Sequence, residues 1–379
     1  MRVALITKSF TSSLEPLGAP FERRQASELA KRCEVDVFAA VPRVGTPLAV
    51  PLYVASLLPH RDRLRSADVL LATSAYPDGC AGLLVARLLG KPFVVKVHGT
   101  DLNVFRRGPL GRAVAARALP MAAAIVAASR SIADSIVHLG GPPERVHVVR
   151  NGADLGLFTP RSRRSARHVL GLPPDAPLVL YVGRIERDKG VLDLLDAFEW
   201  VRARAPSTRL VFVGHGSAEA EVRSRAAQHA EGAVRTMGQR PHAEVAEWLG
   251  ASDLVVFPSH EEGTPSIVLE ALATGRPVVA TRVGGIPDVL SDACGILVAP
   301  RDTRALAGAI TAALSRSWDE AAIVAHGPAS WEASAVDLLR VLESAAGAGA
   351  GAERRVIDDE EERETEGRER CPPEERLST

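Results

Sequence analysis

Leu254-Val255-Val256-Phe257-Pro258-Ser259-His260-Glu261-Glu262-Gly263-Thr264-Pro265-Ser266-Ile267-Val268-Leu269-Glu270-Ala271-Leu272-Ala273-Thr274-Gly275-Arg276-Pro277-Val278-Val279-Ala280 is the stretch that decides how this chain of 379 residues folds. Residues 254–257 are an unbroken apolar run of the kind found in strands buried on both faces. A short loop follows, and Thr264 and Pro265 open a helix as its cap pair. Residues 278–280 then read as the next strand. Strand, helix and strand in so short a span form the unit of a parallel sheet. Glu262 falls just before the helix N-terminus, and Glu270 lies about one and a half turns inside it. The first backbone N–H groups, those of Ser266 and Ile267, are left free to meet whatever fills the space between the two acids. A helix start suits an anion such as a phosphate, and carboxylates beside it suit hydroxyls. A ligand that carries both is a nucleotide sugar.

The same alternation extends in both directions. Strands are expected at 3–7, 35–39, 69–72, 93–97, 125–128 and 146–149, and again at 178–182, 210–213, 233–237, 254–257, 278–280 and 296–298, with helices such as 21–32, 129–139, 303–315 and 331–344 between and after them. Two doubly wound Rossmann-like α/β domains result, their ligand bound at strand ends facing a central cleft. The expected organisation is a first domain over 1–155, a second over 156–320, helices in 321–346 able to pack back on the first domain, and a tail over 347–379. Pro160, an arginine cluster and Pro173-Pro174 mark the boundary between the two domains. The tail opens on Gly347-Ala348-Gly349-Ala350-Gly351 and is rich in Glu and Arg, a composition too poor in apolar residues to fold.

The formal charges cancel overall, yet residues 1–150 hold an excess of roughly nine positive charges and the tail roughly five negative. A basic first half is compatible with peripheral contact with an anionic membrane; solvated helix faces explain it equally well. Cys33, Cys80, Cys294 and Cys371 lie far apart, which fits neither a zinc site nor a disulfide framework and suggests a reduced, cytoplasmic protein. The first residues read as a buried strand, and no apolar stretch reaches the length of a membrane span.

Two more strand ends bear on chemistry. After Val179-Leu180-Tyr181-Val182 come Gly183 and Arg184, and Lys189-Gly190 opens the next helix. Two cations there could neutralise a diphosphate, each charge-assisted bond contributing roughly 1.5 to 3 kcal/mol. In the first half, His98-Gly99-Thr100-Asp101 follows a buried strand, with Gly allowing a close backbone approach. Asn151-Gly152-Ala153-Asp154 is a weaker signal, since Asn-Gly turns unaided. Gly214-His215-Gly216-Ser217-Ala218-Glu219 has Glu where a dinucleotide fingerprint needs its third Gly, and no P-loop lysine follows a Gly-rich loop, so neither a nicotinamide enzyme nor an NTPase is indicated.

Together these segments resemble one family, the retaining glycosyltransferases of GT-B fold in glycosyltransferase family 4. The resemblance runs over most of residues 1–345 and rests on four segments: Glu262-Gly263-Thr264-Pro265 through Thr281, with Gly284-Gly285-Ile286-Pro287-Asp288; Val182-Gly183-Arg184 with Asp188-Lys189-Gly190; His98 to Asp101; and Arg150 to Asp154 with Phe158. It implies that a hexosyl or N-acetylhexosaminyl group moves from a nucleotide diphosphate sugar to a hydroxyl of a lipid-linked or envelope glycan. Catalytic roles would fall to Glu262, His98, Arg184 and Lys189. Donor-binding roles would fall to Glu270, Gly183, Asn151, Gly263, Thr264, Pro265, Ser266 and Ile267, with Asp101 on the acceptor or sugar side. Neither a metal nor another cofactor is implied, and no nucleic-acid partner. The family's first loop often carries a Gly-Gly pair; here it reads Glu15-Pro16-Leu17-Gly18-Ala19-Pro20, which leaves Gly18 as the candidate. Two alternatives stand beside this reading, a nucleotide-sugar 2-epimerase of similar fold and a degenerate nucleotide-binding partner subunit. Donor base, acceptor and oligomeric state are left open.

Overall fold

A computed structural model describes residues 1–7, 20–39, 49–102, 105, 108–230 and 232–347. Each of the twelve apolar runs forms a strand, with ends moved by no more than one residue from the sequence reading: β1 Arg2–Thr7, β2 Glu34–Ala39, β3 Val69–Ala72, β4 Phe93–Val97, β5 Ala124–Ala127, β6 Val146–Val148, β7 Leu178–Val182, β8 Arg209–Val213, β9 Val234–Thr236, β10 Leu254–Phe257, β11 Val278–Thr281 and β12 Gly295–Val298. They build two six-stranded sheets in the orders β2-β1-β3-β4-β5-β6 and β12-β11-β10-β7-β8-β9. Every pairing is parallel, for example Val3 with Val69 and Leu254 with Val179. The strand order reverses between β1 and β3 and between β7 and β10. At such switch points the flanking helices diverge and leave a crevice at the strand ends.

The inner strands are apolar on both faces because helices cover both. On the first sheet Ala4, Ile6, Leu70, Ala72 and Val95 face Tyr53, Leu57 and Val85. The alternate residues Val3, Leu5, Val69, Leu71 and Val94 pack with Leu29 and with Leu338, Leu342 and Ala345 of a C-terminal helix at 331–347. The end of the chain thus completes the core of its beginning. The second sheet has a core of its own, which includes the buried Trp248, Phe198 and Phe212.

The chain crosses between the sheets twice, and the two crossings run side by side. Ala153 bridges Ser330 in parallel, and its N–H donates to the Ala329 carbonyl at 3.1 Å. Beneath them Lys96 of β4 is wholly buried, donating to Gln25 Oε1 at 2.5 Å and Asn151 Oδ1 at 3.0 Å. Burial lowers the Lys96 pKa to about 7. Among the described residues no helix is long and apolar enough to cross a membrane. The tail beyond 347, with Cys371, lies outside the described residues.

Candidate active site

The site grows from the ends of β7 and β10, the two strands that flank the second switch point. Past β7 the chain makes a tight turn over Arg187–Lys189 and enters the helix Val191–Arg204 through Gly190, whose φ is 66°. A Cβ at Gly190 would stand 2.1 Å from the Pro258 carbonyl oxygen, so only glycine lets this turn lie against the exit of β10. The approach brings Lys189 Nζ within 2.5 Å of Glu262 Oε1, and Ser259 Oγ donates to the same oxygen at 2.8 Å. The two charged side chains are only 10 % and 11 % exposed. Burying two ions is tolerable only with such direct pairing and a further hydrogen bond.

The helix after β10 is Ser266–Ala273, with Pro265 at its N-cap and no side chain capping it. The expected cap Thr264 turns away, and its hydroxyl donates across the cleft to the Ala128 carbonyl at 3.4 Å. Ser266 and Ile267 line the cavity at this open helix end. One turn on, Glu270 faces the same space. Burial is the sole cause pushing its carboxyl from 4.5 to about 7. Among the described residues no hydrogen bond or ion pair to its side chain offsets that burial.

The cavity holds about 640 Å³. Val182, Gly183, Lys189, Glu262, Ser266, Ile267 and Glu270 form the second-domain wall, while Arg23, Arg24 and Ser27 on the helix Pro20–Ala30 face them from the first domain. Asp154, Phe158, His242 and Trp331 also line it. Arg24 pairs with Asp154, and the His242 ring meets the Phe158 ring nearly edge-on, with centroids 6.0 Å apart. Burial lowers the His242 pKa, and Arg24 adds to the effect. His242 and Trp331 had no signal in the sequence, because a lone His after a Pro reads as the first residue of a helix and Trp331 lies far along the chain.

The other expected site residues fall differently. His98 and Gly263 meet back to back: a Cβ on Gly263 would be 1.8 Å from the His98 carbonyl oxygen, so the two loops touch through backbone. His98 itself is outside the cavity lining. Asp101, expected on the acceptor or sugar side, staples its own loop. Its two carboxylate oxygens accept from the N–H groups of Ala75 at 2.7 Å, Gly99 at 2.9 Å and His98 at 3.1 Å. Burial raises its pKa and those bonds oppose the rise. Asn151, expected at the donor, is 4 % exposed and spends its side-chain oxygen on Lys96. Arg184 is exposed and outside the cavity lining, while Gly183 is part of it. Glu261 is exposed as well, so of the adjacent pair Glu262 is the one at the cavity. Gly18 lies outside the described residues. Among the described residues no group of three or more His, Cys, Asp or Glu could hold a metal ion.

A buried cation, an open helix end and an acid with no partner among the described residues, around one cleft between two parallel sheets, agree with what comparison with known proteins finds. Residues 18–157 match the family described as Glycosyltransferase Family 4, and residues 176–316 match that described as Glycosyl transferases group 1. The chain belongs to glycosyltransferase family 4. This glycosyltransferase is 31% identical over 358 residues to the putative teichuronic acid biosynthesis glycosyltransferase TuaC of Bacillus subtilis, covering 82% of this chain and 88% of that one. To D-inositol 3-phosphate glycosyltransferase 1 of Catenulispora acidiphila it is 36% identical over 308 residues, covering 72% of each. Its fold is that of Anabaena Alr3699/HepE, solved in complex with UDP and glucose, with a TM-score of 0.69 at 21% identity over 92% of this chain and 99% of that chain. The architecture is therefore GT-B.

Proposed function

We propose that this glycosyltransferase moves a hexosyl or N-acetylhexosaminyl group from a nucleoside diphosphate sugar to a hydroxyl of a lipid-linked or envelope glycan, with retention of anomeric configuration. The observation that carries the proposal is Glu270, a half-buried acid that lines the same cavity as Lys189, one turn from free helix amides, with its burial unopposed. Ribose hydroxyls donating to its carboxylate would supply the bonds it lacks. The diphosphate would take the amides of Ser266 and Ile267 together with Lys189, and Gly183 would let backbone approach it. Glu262 would meet hydroxyls of the transferred sugar. UDP and glucose bound to the HepE fold support a nucleotide sugar as donor. The names of the teichuronic acid and inositol phosphate relatives support a hydroxyl-bearing acceptor.

In this reading the acceptor hydroxyl attacks the anomeric carbon from the face that the diphosphate is leaving. The bond from that carbon to the phosphate oxygen breaks, the new glycosidic bond forms, and a phosphate oxygen takes the hydroxyl proton. Charge grows on the diphosphate as it departs, and Lys189 would stabilise it, with Arg184 joining once its loop turns inward. Closure of the cleft would bring His98 to the sugar. No metal is assigned a role, so EDTA treatment should leave turnover unchanged. Lost turnover that Mg²⁺ or Mn²⁺ restores would refute that part. The basic first half and the absence, among the described residues, of a membrane-spanning helix fit work at the inner face of a membrane.

Thermal-shift screening of UDP, GDP and ADP sugars tests the donor class. A ligand present at about one hundred times its dissociation constant stabilises by about 2.7 kcal/mol. No shift with any of them, or a shift that Glu270→Ala leaves intact, would sink the donor assignment. Product NMR with the selected donor then reads the anomeric configuration, and an inverted product would overturn retention.

A further inference from the structure

The geometry points to Asp288 and Ser131 as positioning residues, a clasp between the two domains that holds the Glu262 loop in place. The inference rests on the proposed role of Glu262 at the transferred sugar.

Helix Arg130–His138 of the first domain begins with three N–H groups that have no partner within the helix. Ser129, the N-cap, accepts from the Ile132 N–H at 3.3 Å, and its hydroxyl also lies 3.3 Å from that of Ser131. The other two are taken by the opposite domain: Asp288 Oδ2 accepts from the Arg130 N–H at 2.6 Å and from the Ser131 N–H at 3.4 Å. A carboxylate at a helix N-terminus is favoured by both the free donors and the helix dipole. Ser131 answers with a bond of its own, its hydroxyl donating to the Gly284 carbonyl at 2.7 Å. The turn that is gripped in this way, Gly284 to Asp288, binds the catalytic loop in its turn. The Gly285 N–H donates to the Gly263 carbonyl at 2.6 Å, one residue past Glu262. On the other side Gly263 is wedged against the His98 carbonyl, and Thr264 donates to Ala128. The loop that carries Glu262 therefore lies between the first domain and a turn that the first domain holds. If the clasp opens, the loop loses one of its two walls.

Lys189 is held by the turn after β7 and Glu270 by the helix Ser266–Ala273, so neither is gripped by the first domain through this contact, although Lys189 shares an ion pair with Glu262. Loss of the clasp should thus separate turnover from nucleotide binding. A displacement near 1 Å of a reacting group costs on the order of 100-fold in rate.

The test compares Asp288→Ala, Asp288→Asn and Ser131→Ala in the full chain by hydrogen exchange, by UDP binding and by turnover with the donor chosen in the thermal screen. Asp288→Ala should speed exchange both at the Arg130 and Ser131 amides and in the peptide that spans residues 260–266. It should lower kcat by about tenfold or more while the Kd for UDP stays within about twofold. Asp288→Asn, which keeps an acceptor oxygen, should recover much of the loss, and Ser131→Ala should show a milder form of the same pattern. Asp288→Ala combined with Glu262→Gln should be no slower than Glu262→Gln alone. Unchanged exchange in 260–266, or UDP binding weakened in step with kcat, would overturn the clasp. An active Glu262→Gln enzyme would refute the sugar role of Glu262, and slowed Asp288→Ala turnover beside it would still support the clasp as the contact that holds the cleft closed.

Discussion

Glu270→Gln should make the ligand-free protein more stable at alkaline pH while impairing donor binding. The folded protein holds this carboxyl at about 7 against an ordinary 4.5, and burial is the cause. Between those values the folded state binds a proton that the unfolded state has released, so stability falls as pH rises. Below about pH 4.5 both states are protonated and the group contributes nothing; above about pH 7 the whole penalty is present. At 1.36 kcal/mol per pH unit it amounts to about 3 kcal/mol. Glutamine has the same shape and no charge to bury, so urea unfolding of the two ligand-free proteins should give similar stabilities near pH 4.5 and a gap of about 3 kcal/mol in favour of the variant near pH 8.5. UDP-glucose serves as the binding probe, because its diphosphate does not titrate in this range. Wild-type affinity should rise with pH and level off near pH 7 as the carboxylate becomes available to ribose hydroxyls, with proton release on binding below that point. The variant should bind weakly at every pH. A stability gap that does not change with pH, or a variant no more stable at pH 8.5, would refute the burial argument. A wild-type affinity independent of pH would refute the ribose contact.

Lys189→Ala should abolish measurable turnover and weaken UDP by the roughly 1.5–3 kcal/mol of a lost charge-assisted bond, read by calorimetry; wild-type turnover would remove Lys189 from the mechanism. Gly263→Ala places a Cβ 1.8 Å from the His98 carbonyl and should force the domains apart, lowering kcat with UDP affinity retained; an unchanged kcat would show that the contact is dispensable. Leu342→Ala empties a site that is 0% exposed in the core of the first sheet, and should cost about 2–5 kcal/mol in urea unfolding. Truncation after residue 347 leaves that core whole and should alter neither Tm nor turnover; a fall in either would give the tail a role.

The inner strands were legible in the sequence because a strand covered on both faces must be apolar along its whole length, and that pattern is local. Glycine 190 and the acids of the 262–270 segment were legible for a similar reason, since turn and helix-start chemistry is written in a few adjacent residues. Roles that depend on distant partners were not. Nothing in the sequence shows that three backbone amides gather around the Asp101 carboxylate. Nor does it show that Lys96 arrives from β4 to donate to Asn151. Thr264 looks like a helix cap until the Ala128 carbonyl stands nearer its hydroxyl.

By itself, then, the sequence determined two doubly wound parallel sheets and named the acids and the lysine of one strand-end cluster, because periodicity, turns and caps are short-range properties. Only the tertiary structure decided that Lys189 and Glu262, 73 residues apart, share one ion pair, that Glu270 lies deep enough for burial to raise its pKa, and that Asp288 caps a helix of the other domain. Pairing, desolvation and capping between domains depend on what the fold brings within about 3 Å, and a linear pattern carries no record of that distance.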